Sequence, residues 1–137
     1  MVSVNVCKIL SFKEFGDSRG NLIALEGNKE IPFDIKRIFY VYNMDQNVVR
    51  GQHANRNSSF VLICVNGSCS IKVCDGIEEI VVELDSPNKG LYIPRMLWKD
   101  MYNFSENAVL LCFSDCAYDS EEYITDFRIF KNSLILE

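Results

Sequence analysis

Short apolar runs separated by turn-forming residues fill the first 115 positions of this 137-residue chain. The runs are rich in β-branched and aromatic residues and cover 2–9, 21–26, 35–42, 60–65, 68–74, 77–84, 91–93 and 108–114. Runs this short and this regularly spaced predict a small antiparallel barrel or sandwich rather than alternating β-α units. The first run alternates apolar and polar residues, which is typical of an edge strand or of a strand exchanged between subunits.

Two dipeptides between these runs are strong turn signals. Asn66-Gly67 and Asp75-Gly76 each lie between two apolar runs. Such pairs favour tight turns in which both residues have positive φ, and they therefore predict two β-hairpins.

The last residues follow a different pattern. Asp119 has a Glu three residues later, Glu122, which is the form of a helix capping box. Apolar residues then recur at helical spacing, at Tyr123, Ile124, Phe127, Phe130 and Leu134. We predict a short C-terminal helix over 119–137 that packs on the barrel, with 119–122 serving only as its cap. The length predicts a single domain over 1–137.

Composition narrows the possible functions. The 19 Asp and Glu residues outnumber the 14 Lys and Arg residues, and this balance argues against nonspecific nucleic-acid binding. No apolar run approaches the ~20 residues of a membrane helix, and the first residues lack the pattern of a signal peptide. We expect a cytoplasmic protein with no membrane partner.

The six cysteines include no CxxC pair, and four lie in apolar runs, so buried free thiols are expected at Cys64, Cys69, Cys74 and Cys112.

The chain contains one histidine, His53. The segment 51–55 around it resembles the first motif of the cupin barrel family, in which a His-x-His pair precedes a Glu and a Gly. His53 falls at the first His position, Asn55 at the second, Phe60 at the Glu position and Gly67 at the closing Gly. Because Asn and Phe occupy two ligand positions, a three-His, one-carboxylate site cannot form, and we predict no catalytic metal and no cofactor.

Further segments resemble the bacterial dTDP-sugar 3,4-ketoisomerases in the same order along the chain. They cover 16–26, 31–40, 50–54, 65–69, 84–87, 90–93, 98–105 and 118–124. The resemblance implies an all-β cupin (jelly-roll) barrel with a short C-terminal helix. It also implies a cytoplasmic homodimer, often with an exchanged N-terminal strand, and a dTDP-linked keto-deoxysugar such as dTDP-4-keto-6-deoxyglucose as the substrate in deoxy-aminosugar synthesis.

Moving a ketone from C4 to C3 of a hexose requires removal of a proton from C3 and delivery of a proton to C4, through an enediolate. The site therefore needs a base that titrates near neutrality and donors for the developing oxyanion. His53 is the one side chain of that type and is the predicted base. Tyr40, Asn55 or Lys99 would stabilise the oxyanion, although Asn55 cannot relay a proton at neutral pH.

A diphosphate requires cationic donors, and Arg19, Arg50 and Arg37 are the candidates. Lys99 follows Trp98 in a segment that has the pattern of a loop, and it is the fourth candidate for substrate binding. The alternatives are a surface charge for each cation and a core aromatic for Tyr40. Three alternatives also remain open: a sugar-nucleotide-binding cupin that has lost catalysis, a dTDP-keto-sugar epimerase, for which no second catalytic dyad is evident, and a structural cupin whose aromatic pocket is simply its core.

Overall fold

Residues 2–135 are described by a computed structural model, in which ten strands form two five-stranded antiparallel sheets. The first sheet has the order β1-β9-β6-β11-β4, the second has the order β12-β5-β10-β7-β8, and β2 and β3 form a separate hairpin. The strands are β1 Lys8–Ser11, β2 Phe15–Asp17, β3 Gly20–Leu22, β4 Arg37–Tyr42, β5 Arg50–Asn55, β6 Phe60–Asn66, β7 Cys69–Cys74, β8 Glu79–Leu84, β9 Lys89–Ile93, β10 Trp98–Tyr102, β11 Val109–Ser114 and β12 Tyr123–Ile124. One α-helix, α1 (Phe127–Ile135), follows them. The predicted all-β class with a short C-terminal helix is confirmed.

The main apolar core takes side chains from strands of both sheets. Leu62 and Leu110 from the first sheet and Ile71 and Val73 from the second are almost completely buried in it. Burial of such aliphatic side chains stabilises the fold by roughly 1.5–3 kcal/mol each. All six cysteines are free thiols; of the four expected to be buried, Cys74 is only half-buried. Within residues 2–135, no helix has the length and apolar character needed to cross a bilayer.

The two predicted hairpin turns have different outcomes. Asp75-Gly76 connects β7 and β8, which pair directly, so this hairpin is confirmed. The loop has four residues, however, and Gly76 alone among them has positive φ (96°). The Asp75 carboxylate holds the turn by accepting the backbone N–H groups of Ile77 and Glu78. The hairpin predicted at Asn66-Gly67 is wrong. β6 already pairs with β9 and β11, so the chain crosses there into the other sheet.

The predicted N-terminal strand over 2–9 is wrong in its first part. Val4–Val6 form a 3-10 turn capped by Ser3, whose Oγ accepts the N–H of Asn5. The N–H of Val4 donates to the buried Asp75 carboxylate, so this backbone is not available for a sheet. β1 begins only at Lys8 and pairs with β9 at the edge of the first sheet. Of the run 21–26, only the first residues belong to a strand, β3.

The predicted helix over 119–137 begins eight residues later than expected, at Phe127. Asp119 caps a 3-10 turn, Ser120–Glu122, and the chain then forms β12 against β5. Asp126 is the residue that caps α1, because its Oδ1 accepts the backbone N–H of Arg128 at 2.8 Å. Phe130 of α1 is buried against Trp98, as expected for a helix that packs on a sheet. Positions 136–137 of the predicted helix lie outside the described residues.

Candidate active site

A cavity of about 230 Å³ lies between the two sheets. Both sheets contribute to its lining: Arg37, Phe39, Val41, Phe60, Leu62 and Cys112 come from the first, and Arg50, Gly51, His53, Lys99, Met101 and Tyr123 come from the second. The apolar side chains form most of the wall, and one imidazole, one phenol and three cations are the polar groups. A concave apolar pocket with a few convergent polar groups is the usual form of a small-molecule site.

A bulge in β5 places both Arg50 and His53 at the cavity. Residues three apart on a regular strand face opposite sides. Here Lys99 of β10 pairs with His53 while the next residue of β10 pairs with Gly51, so Gln52 is an extra residue in β5. Gly51 and Gln52 have φ of 81° and 56°, which turns the strand between the two functional side chains.

His53 is held as a neutral imidazole. Its Nδ1 lies 3.0 Å from the carbonyl oxygen of Gly51. A carbonyl only accepts, so Nδ1 carries the proton and Nε2 has a free lone pair. Burial and then the charge of Lys99 lower the pKa of His53 to about 4, so the ring is uncharged at neutral pH. The ring lies 4.8 Å from that of Tyr123, which fixes its orientation.

Lys99 lies between the two sheets and not in a loop as predicted, because 98–102 form the central strand β10. The segment lacks a strand-like pattern since both of its faces are covered, by α1 over Trp98 and by the first sheet over Lys99. Lys99 is 3% exposed, its Nζ donates to Oδ1 of Asn55 at 2.9 Å, and it lies 4.6 Å from the centre of the Phe60 ring. Burial lowers the pKa of Lys99 to about 7.

Asn55 and Glu122 lie next to the cavity wall, in the interior. Asn55 is completely buried, and its Oδ1 accepts the hydrogen bond from Lys99. The Glu122 carboxylate accepts the backbone N–H groups of Asn57 and Ser58 at 3.0 and 2.8 Å and also the Ser58 hydroxyl. Burial opposes ionisation of Glu122, but these hydrogen bonds together hold its pKa below the ordinary value. Glu122 is therefore part of a buried polar network and not the helix cap that the sequence predicts.

Arg37 and Tyr123 form the polar rim of the cavity. The Arg37 Nη1 donates to the Tyr123 hydroxyl at 3.1 Å, and the guanidinium also lies 4.5 Å from the ring centre of Phe39 and 4.8 Å from that of Tyr118. Sequence reasoning missed Tyr123 as a site residue because it assigned this residue to a helix. The signal was present, since 118–124 is one of the segments that resemble the ketoisomerases.

The structure does not bring Tyr40 or Arg19 to the cavity. Tyr40 is 61% exposed on the outer face of β4, because Phe39 and Val41 on either side face inward. Arg19 lies on the β2–β3 hairpin with its side chain 87% exposed, and it forms an ion pair with Asp17 at 2.5 Å. Four predicted site residues, His53, Lys99, Arg37 and Arg50, do meet at the cavity.

The side chains near His53 are a poor set for a metal ion. Across residues 2–135, no three or more His, Cys, Asp or Glu side chains are grouped so as to hold one. The cations of Arg37, Arg50 and Lys99 instead give the cavity a positive field, which suits an anionic ligand.

Comparisons with known proteins identify a family and a curated relative that match most of this chain. A sequence profile for FdtA, described as WxcM-like, C-terminal, matches residues 5–134. The TDP-4-oxo-6-deoxy-alpha-D-glucose-3,4-oxoisomerase of Aneurinibacillus thermoaerophilus is 42% identical over 126 residues, which cover 90% of this chain and 89% of that protein.

Two solved structures are similar over nearly the whole chain. A 3,4-ketoisomerase from Helicobacter canadensis superposes with a TM-score of 0.93 at 43% identity and covers 95% of this chain and 98% of its own. The second structure is a histidine-to-asparagine mutant of the 3,4-ketoisomerase QdtA from Thermoanaerobacterium thermosaccharolyticum, in complex with TDP-4-keto-6-deoxyglucose. It superposes with a TM-score of 0.92 at 35% identity, and the match covers 96% of this chain and 95% of that chain.

Proposed function

Because the chain belongs to the FdtA family, we propose that it is a sugar-nucleotide 3,4-ketoisomerase that converts dTDP-4-keto-6-deoxyglucose into a dTDP-3-keto-6-deoxyhexose. The observation that carries this proposal is the neutral imidazole of His53, whose Nε2 has a free lone pair at a cavity with three cations. That arrangement suits removal of a proton next to a carbonyl, since it provides a base and stabilises an anion. The product would enter deoxy-aminosugar synthesis.

The chemistry at carbon can be written with His53 alone. Its Nε2 takes the proton from C3, and the electron pair of that bond forms a C3–C4 double bond as charge moves to O4. The imidazolium then returns the proton to C4 as the C3 hydroxyl becomes the ketone, and the proton of that hydroxyl is transferred to O4. The cations at the cavity stabilise the intermediate, because their attraction is stronger in a buried site than in water.

Substrate binding divides between the cavity and the surface outside it. The cavity, at about 230 Å³, is smaller than the ~300–1,000 Å³ of pockets for drug-sized ligands, so it suits the hexose and not the whole nucleotide. Arg37 and Arg50 at the cavity wall are the proposed partners of the diphosphate. Arg19 is exposed on its hairpin, and a role there requires that the nucleotide extends beyond the cavity.

We also propose that the enzyme is a homodimer in the cytoplasm. The outer face of β4, at the edge of the first sheet, exposes Ile38, Tyr40 and Tyr42, each by more than half. Such an apolar ladder on an edge strand suits a second protein surface. Six free thiols fit a reducing compartment. Sedimentation equilibrium measures the oligomeric state directly, and a monomer across the micromolar range would exclude the dimer.

The proposed activity is tested with dTDP-4-keto-6-deoxyglucose in deuterated water, followed by NMR. An isomerase moves the ketone to C3 and places deuterium on the carbons whose protons exchange, and His53→Asn abolishes both. An epimerase exchanges C3 and C5 but leaves the ketone at C4. A protein that only binds is stabilised thermally by dTDP without any exchange. Full activity in the His53→Asn variant would exclude His53 as the base.

A further inference from the structure

Isomerisation moves two protons, and His53 accounts for only one of them. One proton passes from C3 to C4. A second must leave the hydroxyl oxygen at C3 and arrive at the oxygen at C4, since the ketone and the hydroxyl exchange places. An imidazole that holds the carbon proton cannot also carry the oxygen proton in the same half-reaction. Asn55 is no carrier either, because an amide does not titrate near neutrality.

Lys99 is placed to be the second carrier. It pairs with His53 in the register of β10 and β5, and both side chains line the same cavity from adjacent strands. Its Nζ is directed by the 2.9 Å hydrogen bond to Oδ1 of Asn55. An acceptor that holds only one of the three N–H bonds of the ammonium leaves the others free to reach a ligand.

The surroundings of Lys99 keep its proton mobile. Within residues 2–135 no carboxylate lies within ion-pair distance of its Nζ, and burial lowers its pKa to about 7. Glu122, Cys112 and Cys7 act weakly in the opposite direction. The charged or titratable side chains that face it are His53 and Arg50 from β5, Arg37 from β4, Cys112 from β11, Tyr123 from β12, Cys7 before β1 and Glu122 from the 3-10 turn.

We propose that Lys99 is a catalytic proton carrier that transfers the oxygen proton while His53 transfers the carbon proton. The Lys99 ammonium donates to O4 as His53 takes the proton from C3, which gives a neutral enediol, a neutral amine and an imidazolium. The amine then takes the proton from the C3 hydroxyl as the imidazolium protonates C4. Both side chains return to their starting states, and no proton is gained or lost. This inference rests on the proposed isomerase function.

The competing role for Lys99 is that of a fixed positive charge. Lys99→Arg separates the two roles, since a guanidinium keeps the charge but does not release its proton at these pH values. Lys99→Met removes both the charge and the proton while keeping the apolar stem. Stabilisation of each variant by dTDP, measured as a thermal shift, shows that the fold and the nucleotide site are intact.

The test compares two rates in deuterated water: exchange at C3 in recovered substrate, and transfer of the ketone. For Lys99→Arg we expect exchange to continue while ketone transfer falls ~100-fold or more, the size of a general acid–base contribution. For Lys99→Met we expect both rates to fall. If Lys99→Arg slows neither rate, Lys99 acts only through its charge, and if it slows both rates in proportion, Lys99 does not act separately on the oxygen proton. Either result overturns the proposal. A wild-type protein that shows neither rate overturns the proposed function itself.

A second measurement needs no variant. kcat/KM reports groups of the free enzyme, so the wild type should lose activity as pH rises through about 7 and the Lys99 ammonium is deprotonated. NMR of the lysine ε-carbons gives the pKa of Lys99 independently. Agreement of the two midpoints supports the proposal, and a kcat/KM that stays level through the titration of Lys99 contradicts it.

Discussion

Lys99 donates a hydrogen bond to Oδ1 of Asn55 at 2.9 Å, while the Nδ2 of the same amide has no hydrogen-bond partner among the described residues. The Asn55 side chain also lies close enough to His53 and Glu122 to affect the pKa of both. Asn55 thus joins the lysine to the rest of the polar interior without carrying charge. Its neutrality leaves the pKa of Lys99 under the control of burial.

Asn55→Asp should therefore shift the pH dependence of the enzyme. A carboxylate opposite the Lys99 ammonium favours the charged form of the amine and raises its pKa above about 7. The fall in kcat/KM on the alkaline side should move up by ~1 pH unit or more. Asn47→Asp, which adds the same charge on the exposed loop between β4 and β5, is the control and should leave the profile unchanged. If kcat/KM of Asn55→Asp falls at the same alkaline pH as that of the wild type, this account is contradicted.

The bulge in β5 predicts that Gly51→Ala is disruptive. Gly51 has φ of 81°, and a Cβ there would lie 2.8 Å from the carbonyl oxygen of Lys99, which is backbone and cannot move aside. We expect a loss of ~1–3 kcal/mol of unfolding free energy from strained backbone and a fall in kcat/KM, because Arg50 and His53 would separate. Both are measured by urea denaturation and steady-state kinetics.

Gly20→Ala is the matched control for that change. Gly20 also has positive φ, 120°, but no atom lies within 4 Å of the added Cβ. It should therefore show only the cost of the backbone conformation, with activity retained. Equal effects of the two substitutions on kcat/KM would mean that the bulge does not position the site.

Local sequence patterns predict many of the individual strands. The runs at β4, β6, β8 and β11 were found because their residue types alone favour extended backbone. The pairing of those strands was not accessible in the same way. Asn66-Gly67 has the local form of a hairpin turn, yet β6 is paired on both sides by residues 27 to 54 positions away. The path of the chain at 66–67 is therefore set by nonlocal strand pairing and not by the Asn-Gly dipeptide.

The site residues show the same contrast between what local sequence predicts and what depends on nonlocal contacts. The resemblance located His53, Arg50 and Lys99, which the structure brings to one cavity. Tyr40 was placed on the outer face by the alternation of β4, which depends on the exact register of the strand. Glu122 was read as a cap because its spacing from Asp119 fits one. Its actual partners, Asn57 and Ser58, are 65 and 64 residues away, and spacing cannot reveal them.

Tyr123→Phe should weaken substrate binding more than turnover. The change removes the hydroxyl that accepts from Arg37 at 3.1 Å but keeps the ring against His53. Loss of ~1 kcal/mol in positioning Arg37 corresponds to a KM about fivefold higher, with kcat within about twofold. Tyr40→Phe is the control, and its kinetics should not change, since that hydroxyl lies outside the cavity. A large fall in kcat for Tyr40→Phe would instead support the catalytic role that the sequence predicts for Tyr40.

Glu122→Gln should destabilise the fold in a pH-dependent manner. An amide cannot replace a carboxylate that accepts two backbone N–H groups and a hydroxyl, so we expect a loss of ~2 kcal/mol at pH 7, measured by urea denaturation. Hydrogen bonding holds the pKa of Glu122 below its ordinary value in the fold, so its contribution is complete above pH about 4.5 and is lost as pH falls further. The gap between wild type and variant should therefore narrow in acid. Glu121→Gln, at the exposed neighbouring position, should show no gap at either pH, and a constant gap for Glu122→Gln would exclude ionisation as the cause.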